Sequence, residues 1–466
     1  LLPFFACMVG LTWSAQHDPF FWDTVQLASK HAHYFYENSL HWLPLPEEID
    51  SGHPPVFGYY LAHVWSFFGK TLPVSHWAML PFLLLNVWLL YHLGFRLGGE
   101  KWAFWLIPLV LIDPVMAGQS VLVSPDVVLA CGFLLAVEGI LGKNKFFTTI
   151  GILLLCLVSM RGMMTAGALF AWQLLLFFRR DKTKNRAWVC RLIKSALFFL
   201  PGFAFAAWFL WWHRTTTGWS GFHPNSPWSP AFERVEGAEL FRNFLVIGWR
   251  WLDFGRVFEW LLLGWLIWKN RPFKNANPAI LDLLLLLGCL VIFLSPSALF
   301  FKNISAHRYF LPGFLALHFL VFHLLANALP LLKFGKEWLF SALITVLALG
   351  NWWIYPRGIS MGWDATLAHL PYHALRTEAV VFFQKNNIDF QKVGSFFPAL
   401  NTGENLSLNG DLSHFAEKDF LRNEYVVASN VFNDLTETDY LILQRDWILL
   451  KKWKHAGVWM EIYQRP

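Results

Sequence analysis

Residues 55–68 read PVFGYYLAHVWSFF, and whether this apolar run crosses a bilayer sets the orientation of every segment after it. Apolar stretches of roughly 15–24 residues, close to the ~20 that a spanning helix needs, recur near 1–14, 76–97, 102–117, 127–142, 146–160, 162–178, 195–213, 256–268, 279–300, 309–330 and 338–355. The opening run is expected to be a first spanning helix rather than a cleaved signal. The connections between runs hold the basic residues. Arg179, Arg180, Lys182, Lys184, Arg186, Arg191 and Lys194 crowd one, and Lys269, Arg271 and Lys274 another; Lys333 with Lys336, Lys143 with Lys145, and Arg96 with Lys101 mark three more. The positive-inside rule places all five in the cytoplasm, but only if 55–68 does not span. That run is therefore expected to be an interfacial or re-entrant helix, as are 24–38 and 239–254 (ELFRNFLVIGWRWLDF). The loop 15–75, with Asp18, Asp23, Glu37, Glu47, Glu48 and Asp50 against Lys30 and Lys70, then falls outside.

Composition agrees with this pattern. The chain has 466 residues, 56% hydrophobic and 15% charged, against roughly 25% charge in a soluble protein; its mean hydropathy is +0.41. The 27 Trp and 46 Phe fit aromatic belts at membrane interfaces. The net charge of +6 is accounted for by the basic loops, so it does not point to nucleic acid. Cys7, Cys131, Cys156, Cys190 and Cys289 lie in or beside apolar runs without CxxC spacing, which argues against a disulfide framework. No P-loop pattern is present. From about residue 356 the hydropathy falls. A helix at 372–387 and β-rich runs at 391–397, 424–428, 439–444 and 457–463 predict a small α/β domain, outside by parity. The expected architecture is an α-helical polytopic membrane protein of about eleven spans, residues 1–355, followed by this domain, residues 356–466.

Polar groups near membrane depth are costly and mark function. Asp23, after the aromatic shelf Phe20-Phe21-Trp22, is placed to act as a general base or to cap the next helix. His53, in Ser51-Gly52-His53-Pro54-Pro55, opens the interfacial helix where N–H groups favour an anion, although a plain turn is the rival account. Ser124-Pro125-Asp126 starts another helix, with Asp126 either a cap or a second acid in a shared cavity; Asp113-Pro114 reads as a helix terminator. Arg161, Arg214 and His307-Arg308-Tyr309 are cations and neighbours expected on the outer side, suited to bidentate phosphate binding or to snorkelling toward headgroups.

In order and topology these pieces resemble the GT-C glycosyltransferases, specifically family 39, which includes protein O-mannosyltransferases and bacterial lipid A aminoarabinose transferases. The matching residues are Trp22-Asp23-Thr24 with Leu27-Ala28, Gly52-His53-Pro54-Pro55-Val56, Ser124-Pro125-Asp126, Arg161-Gly162 and Arg308-Tyr309-Phe310-Leu311-Pro312, spread over roughly the first 320 residues. The resemblance implies transfer of a sugar from a polyprenyl-phosphate donor to a lipid, glycan or protein acceptor, with inversion, on the non-cytoplasmic face. It implies Asp23 as base, Asp126 as a second catalytic residue that orients the acceptor or a cation, and His53, Arg161, Arg308 and, more weakly, Arg214 as ligands of the donor phosphate. Trp22, His307 and Tyr309 would contact substrate. Many relatives carry an acid–base pair where this chain has Gly52-His53, which removes one potential ligand and leaves a divalent metal ion open as a cofactor; Asp23-Thr24 likewise stands where relatives often have Asp-Glu. The expected setting is a bacterial inner membrane with the site and C-terminal domain facing the periplasm. A transporter or flippase of a lipid-linked or anionic glycan is the alternative from another class, disfavoured because no internal repeat is visible.

Overall fold

The computed structural model describes residues 1–180, 186–221, 229–270, 278–327, 335–356 and 359–466. The basic residues Lys182, Lys184, Arg271, Lys274 and Lys333 lie outside these. The protein is a polytopic α-helical membrane protein with a C-terminal mixed β-sheet domain.

Six described helices are long and apolar enough to cross a membrane: Leu72–Gly98, Pro125–Gly142, Met160–Arg180, Trp188–Thr217, Pro278–Phe300 and His307–Asn327. Ala103–Leu111 and Pro114–Ser120 make a seventh if taken as one span, bent by 74°. Asp113-Pro114 causes the bend. Proline disfavours the α conformation in the residue before it, Asp113 is extended (ψ 128°), and its carboxylate caps the next helix by accepting from the Val115 and Met116 amides. The other four expected spans fall on the helices Leu2–Ala15, Lys145–Val158, Arg256–Asn270 and Lys336–Gly350, of 14, 14, 15 and 15 residues. At 1.5 Å per residue these reach about 21–23 Å, short of the ~30 Å hydrocarbon core, so the long helices number six or seven. Pro125–Gly142 and His307–Asn327 are almost wholly buried and form the centre of the bundle.

The three segments expected to be interfacial or re-entrant are helical. Val25–Lys30 is a π-helical turn running into His31–Glu37, and Val56–Phe68 and Ala238–Leu252 follow. The loop between the first two is drawn against the bundle at Gly52, whose φ is +72° and where a Cβ would stand 2.3 Å from the Gly221 carbonyl oxygen. Only glycine admits both. Beside it, Asp50 accepts from the Gly52 amide and lies 2.8 Å from His213 Nε2.

The C-terminal sheet has the order β2-β1-β3-β5-β4, with β1 Val393–Ser395, β2 Ala416–Glu417, β3 Tyr425–Ser429, β4 Ile448–His455 and β5 Val458–Gln464. β2, β1 and β3 run parallel; β3, β5 and β4 are antiparallel. The helix Leu370–Lys385 packs on it. One expected strand is overturned: 439–444 lies inside the helix Glu437–Asp446. Thr436 and Asp439 form a capping box that starts this helix, and the buried pair Tyr440 and Leu443 follows helical spacing. The strand comes later, as β4.

A fully buried ion cluster ties the bent helix pair to the bundle. Arg256 donates from Nε and Nη2 to the two Asp113 oxygens, both at 2.8 Å, and lies over the Phe314 ring. His318 bridges Asp113 and Glu259. Removing one partner of a buried pair strands the other charge, at about 3–5 kcal/mol. Asp113→Asn is therefore expected to lower stability by about that amount, read as a fall in the unfolding temperature of the detergent-solubilised protein.

Candidate active site

A cavity of about 190 Å³ opens where the 15–75 loop meets the bundle. Asp23, Ser51, His53, Arg161, Arg308 and Tyr309 form its polar wall, and Leu27, Met160, Met164, Phe232, Phe301 and Ile304 an apolar one. The Arg308 guanidinium organises the polar wall. Its Nη2 is paired with Asp23 Oδ2, its Nη1 donates to Asp126 Oδ2 at 3.1 Å, and its Nε lies 2.8 Å from Asp364 Oδ2. Arg161 pairs with Asp126 at 3.0 Å and donates to the Arg308 carbonyl at 3.2 Å. Tyr309 lies under both guanidinium groups, 4.5 and 5.0 Å from its ring centre.

Local structure explains how each group arrives. The Asp23 carboxylate caps no helix: it is paired with Arg308, while the neighbouring Thr24 hydroxyl accepts from the Phe21 amide and donates to the Phe21 carbonyl. Trp22, just before it, holds a left-handed φ of 57°, a conformation a bulky residue adopts only where surroundings enforce it. Asp126 is not a cap either, because Ser124 accepts from the Asp126 amide. Gln119 then links two parts of the site. It receives the Ser124 hydroxyl and donates to the Asp364 carbonyl at 2.6 Å. Gly118, on the same turn, admits the Asp364–Thr366 backbone; a Cβ there would sit 2.7 Å from the Thr366 amide. The turn carrying Arg308 is anchored from behind: His307 Nε2 lies 2.8 Å from Asp253, Tyr355 donates to the same carboxylate, and Arg250 donates to the Ser305 carbonyl.

Of the residues expected from sequence, Asp23, Asp126, His53, Arg161, Arg308 and Tyr309 come together. Three do not. His307 points to Asp253 and its ring lies against Phe254, with no face on the cavity. Trp22 packs edge-on against Phe397 and is not part of the lining. Arg214 is exposed on the Trp188–Thr217 helix and away from the lining. His53 lines the cavity, but burial, aided by Arg161, drives its pKa down to about 3. It is a neutral imidazole near pH 7 and brings a hydrogen bond, not a charge.

Asp364 was not anticipated. Its one sequence signal is a second Trp-Asp pair, Trp363-Asp364, resembling Trp22-Asp23. Burial pushes its pKa up to about 7 against the pull of Arg308. Three carboxylates around two guanidinium groups leave one negative charge in excess, and a proton on Asp364 cancels it. Among the carboxylates Asp23 is the reachable one: its side chain is 28% exposed, Asp126 and Asp364 each 2%. A divalent metal does not fit this arrangement. The Arg308 guanidinium fills the centre of the three carboxylates, where a cation would bind, and among the described residues no group of three or more His, Cys, Asp or Glu side chains is arranged to hold one.

Comparison with solved structures places this architecture. ArnT from Cupriavidus metallidurans, in crystal structures bound to undecaprenyl phosphate and in the apo state, superposes with a TM-score of 0.56 at 12% identity, covering 99% of this chain and 97% of that one. The fold is GT-C-like. The mycobacterial arabinofuranosyltransferase AftD aligns with a TM-score of 0.48 at 12% identity, over 99% of this chain and 39% of its own. No family model matches the sequence, and no curated protein matches it. Within the GT-C-like fold, the cavity lies between the first large loop and the central helices.

The raised Asp364 pKa has a consequence for stability. The folded state holds this proton more tightly than the unfolded chain, so the stabilisation is complete below the ordinary value of 3.8 and is lost as pH rises through about 7. Asp364→Asn, neutral at every pH, removes that slope. Thermal unfolding between about pH 5 and 8 is expected to show the wild type losing ground to the variant as pH rises.

Proposed function

We propose that this protein is an integral membrane glycosyltransferase that moves a sugar from a polyprenyl-phosphate donor to an acceptor hydroxyl. The observation that carries the reading is the two-sided cavity: a reachable carboxylate, Asp23, beside the guanidinium groups of Arg308 and Arg161, facing an apolar wall of Met, Phe, Leu and Ile side chains. A lipid-linked phosphosugar has that same division, with an anionic head and an apolar tail. The ArnT structure of similar fold was solved with undecaprenyl phosphate bound, a ligand of this chemistry.

The donor phosphate binds Arg161 and Arg308, where bidentate guanidinium contacts suit its geometry, and His53 adds a neutral hydrogen bond. As Arg308 turns to the phosphate, its grip on Asp23 loosens and the carboxylate is freed to act. Asp23 takes the proton from the acceptor hydroxyl. The acceptor oxygen bonds to the anomeric carbon from the face opposite the phosphate, the carbon–oxygen bond to phosphate breaks, and the electron pair leaves on the phosphate oxygen with inversion. Preorganised cations at the leaving group stabilise the charge that develops there. Asp126 holds both arginines in place. We assign the shorter helices, 14–15 residues long, to spans across locally thinned bilayer with snorkelling flanks, giving about eleven crossings. Residues 1–355 are the catalytic domain and 356–466 an extracytoplasmic one. The positive-inside rule favours a site facing away from the cytoplasm, and we assign it to the periplasmic face of a bacterial inner membrane.

Incubating purified protein with radiolabelled polyprenyl-phosphate sugars and a membrane extract of acceptors tests this. Asp23→Asn is expected to lower transfer by about 10²–10⁴ and Arg161→Gln by about 10²–10³, both in folded protein. Full transfer by Asp23→Asn would move the base elsewhere, and no consumption of any donor by the wild type would remove the enzyme reading.

A further inference from the structure

A second cleft, of about 250 Å³, lies in the C-terminal domain between the helix Leu370–Lys385 and the 403–415 loop. Arg376, Ser407, Asn409, Asp411 and Ser413 line it, with Phe390 and Phe415 packed together as an apolar wall, ring centres 5.3 Å apart. Arg376 is the unusual member. Its Nε is sealed from solvent without a hydrogen-bond partner, and the guanidinium makes no ion pair with any described residue. Tyr372 and then Asp411 act on it electrostatically, and Asp411 Oδ1 is engaged by the Ser413 amide. Arg376 is partly buried, a sealed Nε left without a partner is costly, and arginine is the residue suited to planar, bidentate capture of an oxyanion. Hydroxyl and amide groups, one carboxylate and an aromatic wall around that cation match the surface of a hydroxylated ring bearing a negative group. The volume is below the ~300–1,000 Å³ of pockets for drug-sized ligands, which limits the fit to about one sugar unit.

The cleft is joined to the catalytic segment. Leu406 accepts from the Phe20 amide at 2.8 Å, three residues before Asp23, and Asn405 accepts from the Ser29 hydroxyl at 2.6 Å. Glu404 binds His33 and Lys70 of the same loop. The helix bearing Arg376 begins beside His369, which stacks on Phe21 with ring centres 4.7 Å apart. Seven residues of helical rise separate the two, about 10 Å.

We propose that this cleft binds an anionic sugar unit of the acceptor, with Arg376 anchoring its phosphate or carboxylate group. The acceptor role rests on the glycosyl-transfer reading; the binding does not. Calorimetric titration of the full-length protein with glucose 6-phosphate, glucuronate, glucose and inorganic phosphate tests the binding and separates the two anion sources. At least one charged sugar is expected to bind, more tightly than glucose or phosphate alone. Arg376→Gln is expected to weaken it by about tenfold or more without lowering the unfolding temperature of the unliganded protein, since the substitution removes a cation that has no ion-pair partner among the described residues. Absence of binding to the wild type, or equal binding by Arg376→Gln, would overturn the site. So would a destabilised Arg376→Gln, which would make the residue structural. In the transfer assay Arg376→Gln is expected to raise the acceptor KM more than it lowers kcat while sparing the donor KM. An unchanged acceptor KM would remove the acceptor role, whereas binding by a wild type that consumes no donor would sink the transferase reading and leave the site standing.

Discussion

The buried Arg308 guanidinium constrains the site more than any other single group. A cation removed from water must be matched closely by negative charge or the fold does not hold, and Arg308 draws that charge from Asp23, Asp126 and Asp364. These lie in three segments that are distant in sequence: the first large loop, the start of a central helix, and a turn after the last apolar helix. Arg161 adds a fourth through Asp126. One electrostatic requirement therefore closes the loop onto the bundle, docks the C-terminal domain and shapes the cavity wall. The cost of desolvating these groups is retained where chemistry needs fixed charge, while Asp23 keeps enough exposure to react.

Two further networks hold Arg308 in position without touching the cavity. Asp253, His307, Tyr355 and Arg250 brace the turn that carries it. Asp113, Arg256, His318 and Glu259 fix the bend that presents Gly118 and Gln119 to the Asp364 turn. Of these three connected polar sets, the first faces the cavity.

The C-terminal domain enters the same scheme from the other side. Its 403–415 loop is hydrogen-bonded to residues flanking Asp23, and its first helix stacks against Phe21. Asp364 belongs to the connection into this domain, so the part of the chain with the most ordinary composition completes the ion cluster in the membrane part.

Much of this was legible in sequence. Helices resting on long apolar runs, the helicity of 55–68, and the approach of Asp23, His53, Asp126, Arg161 and Arg308 follow from hydropathy, loop charge and motif order, because desolvation cost acts on each segment locally. Span number was less legible, since a 15-residue apolar run says nothing about tilt. The strand expected at 439–444 failed because β-prone side chains there also satisfy helical spacing once Thr436 and Asp439 cap the turn. Whether Asp23 and Asp126 cap helices or bind a cation was open, and only the approach of Arg308 to both, with Ser124 capping the helix at Asp126, decided it. Asp364, the turning away of His307, and the neutrality of His53 belong wholly to the tertiary structure. Burial and the company of distant charges set them, and neither quantity exists until the chain has folded.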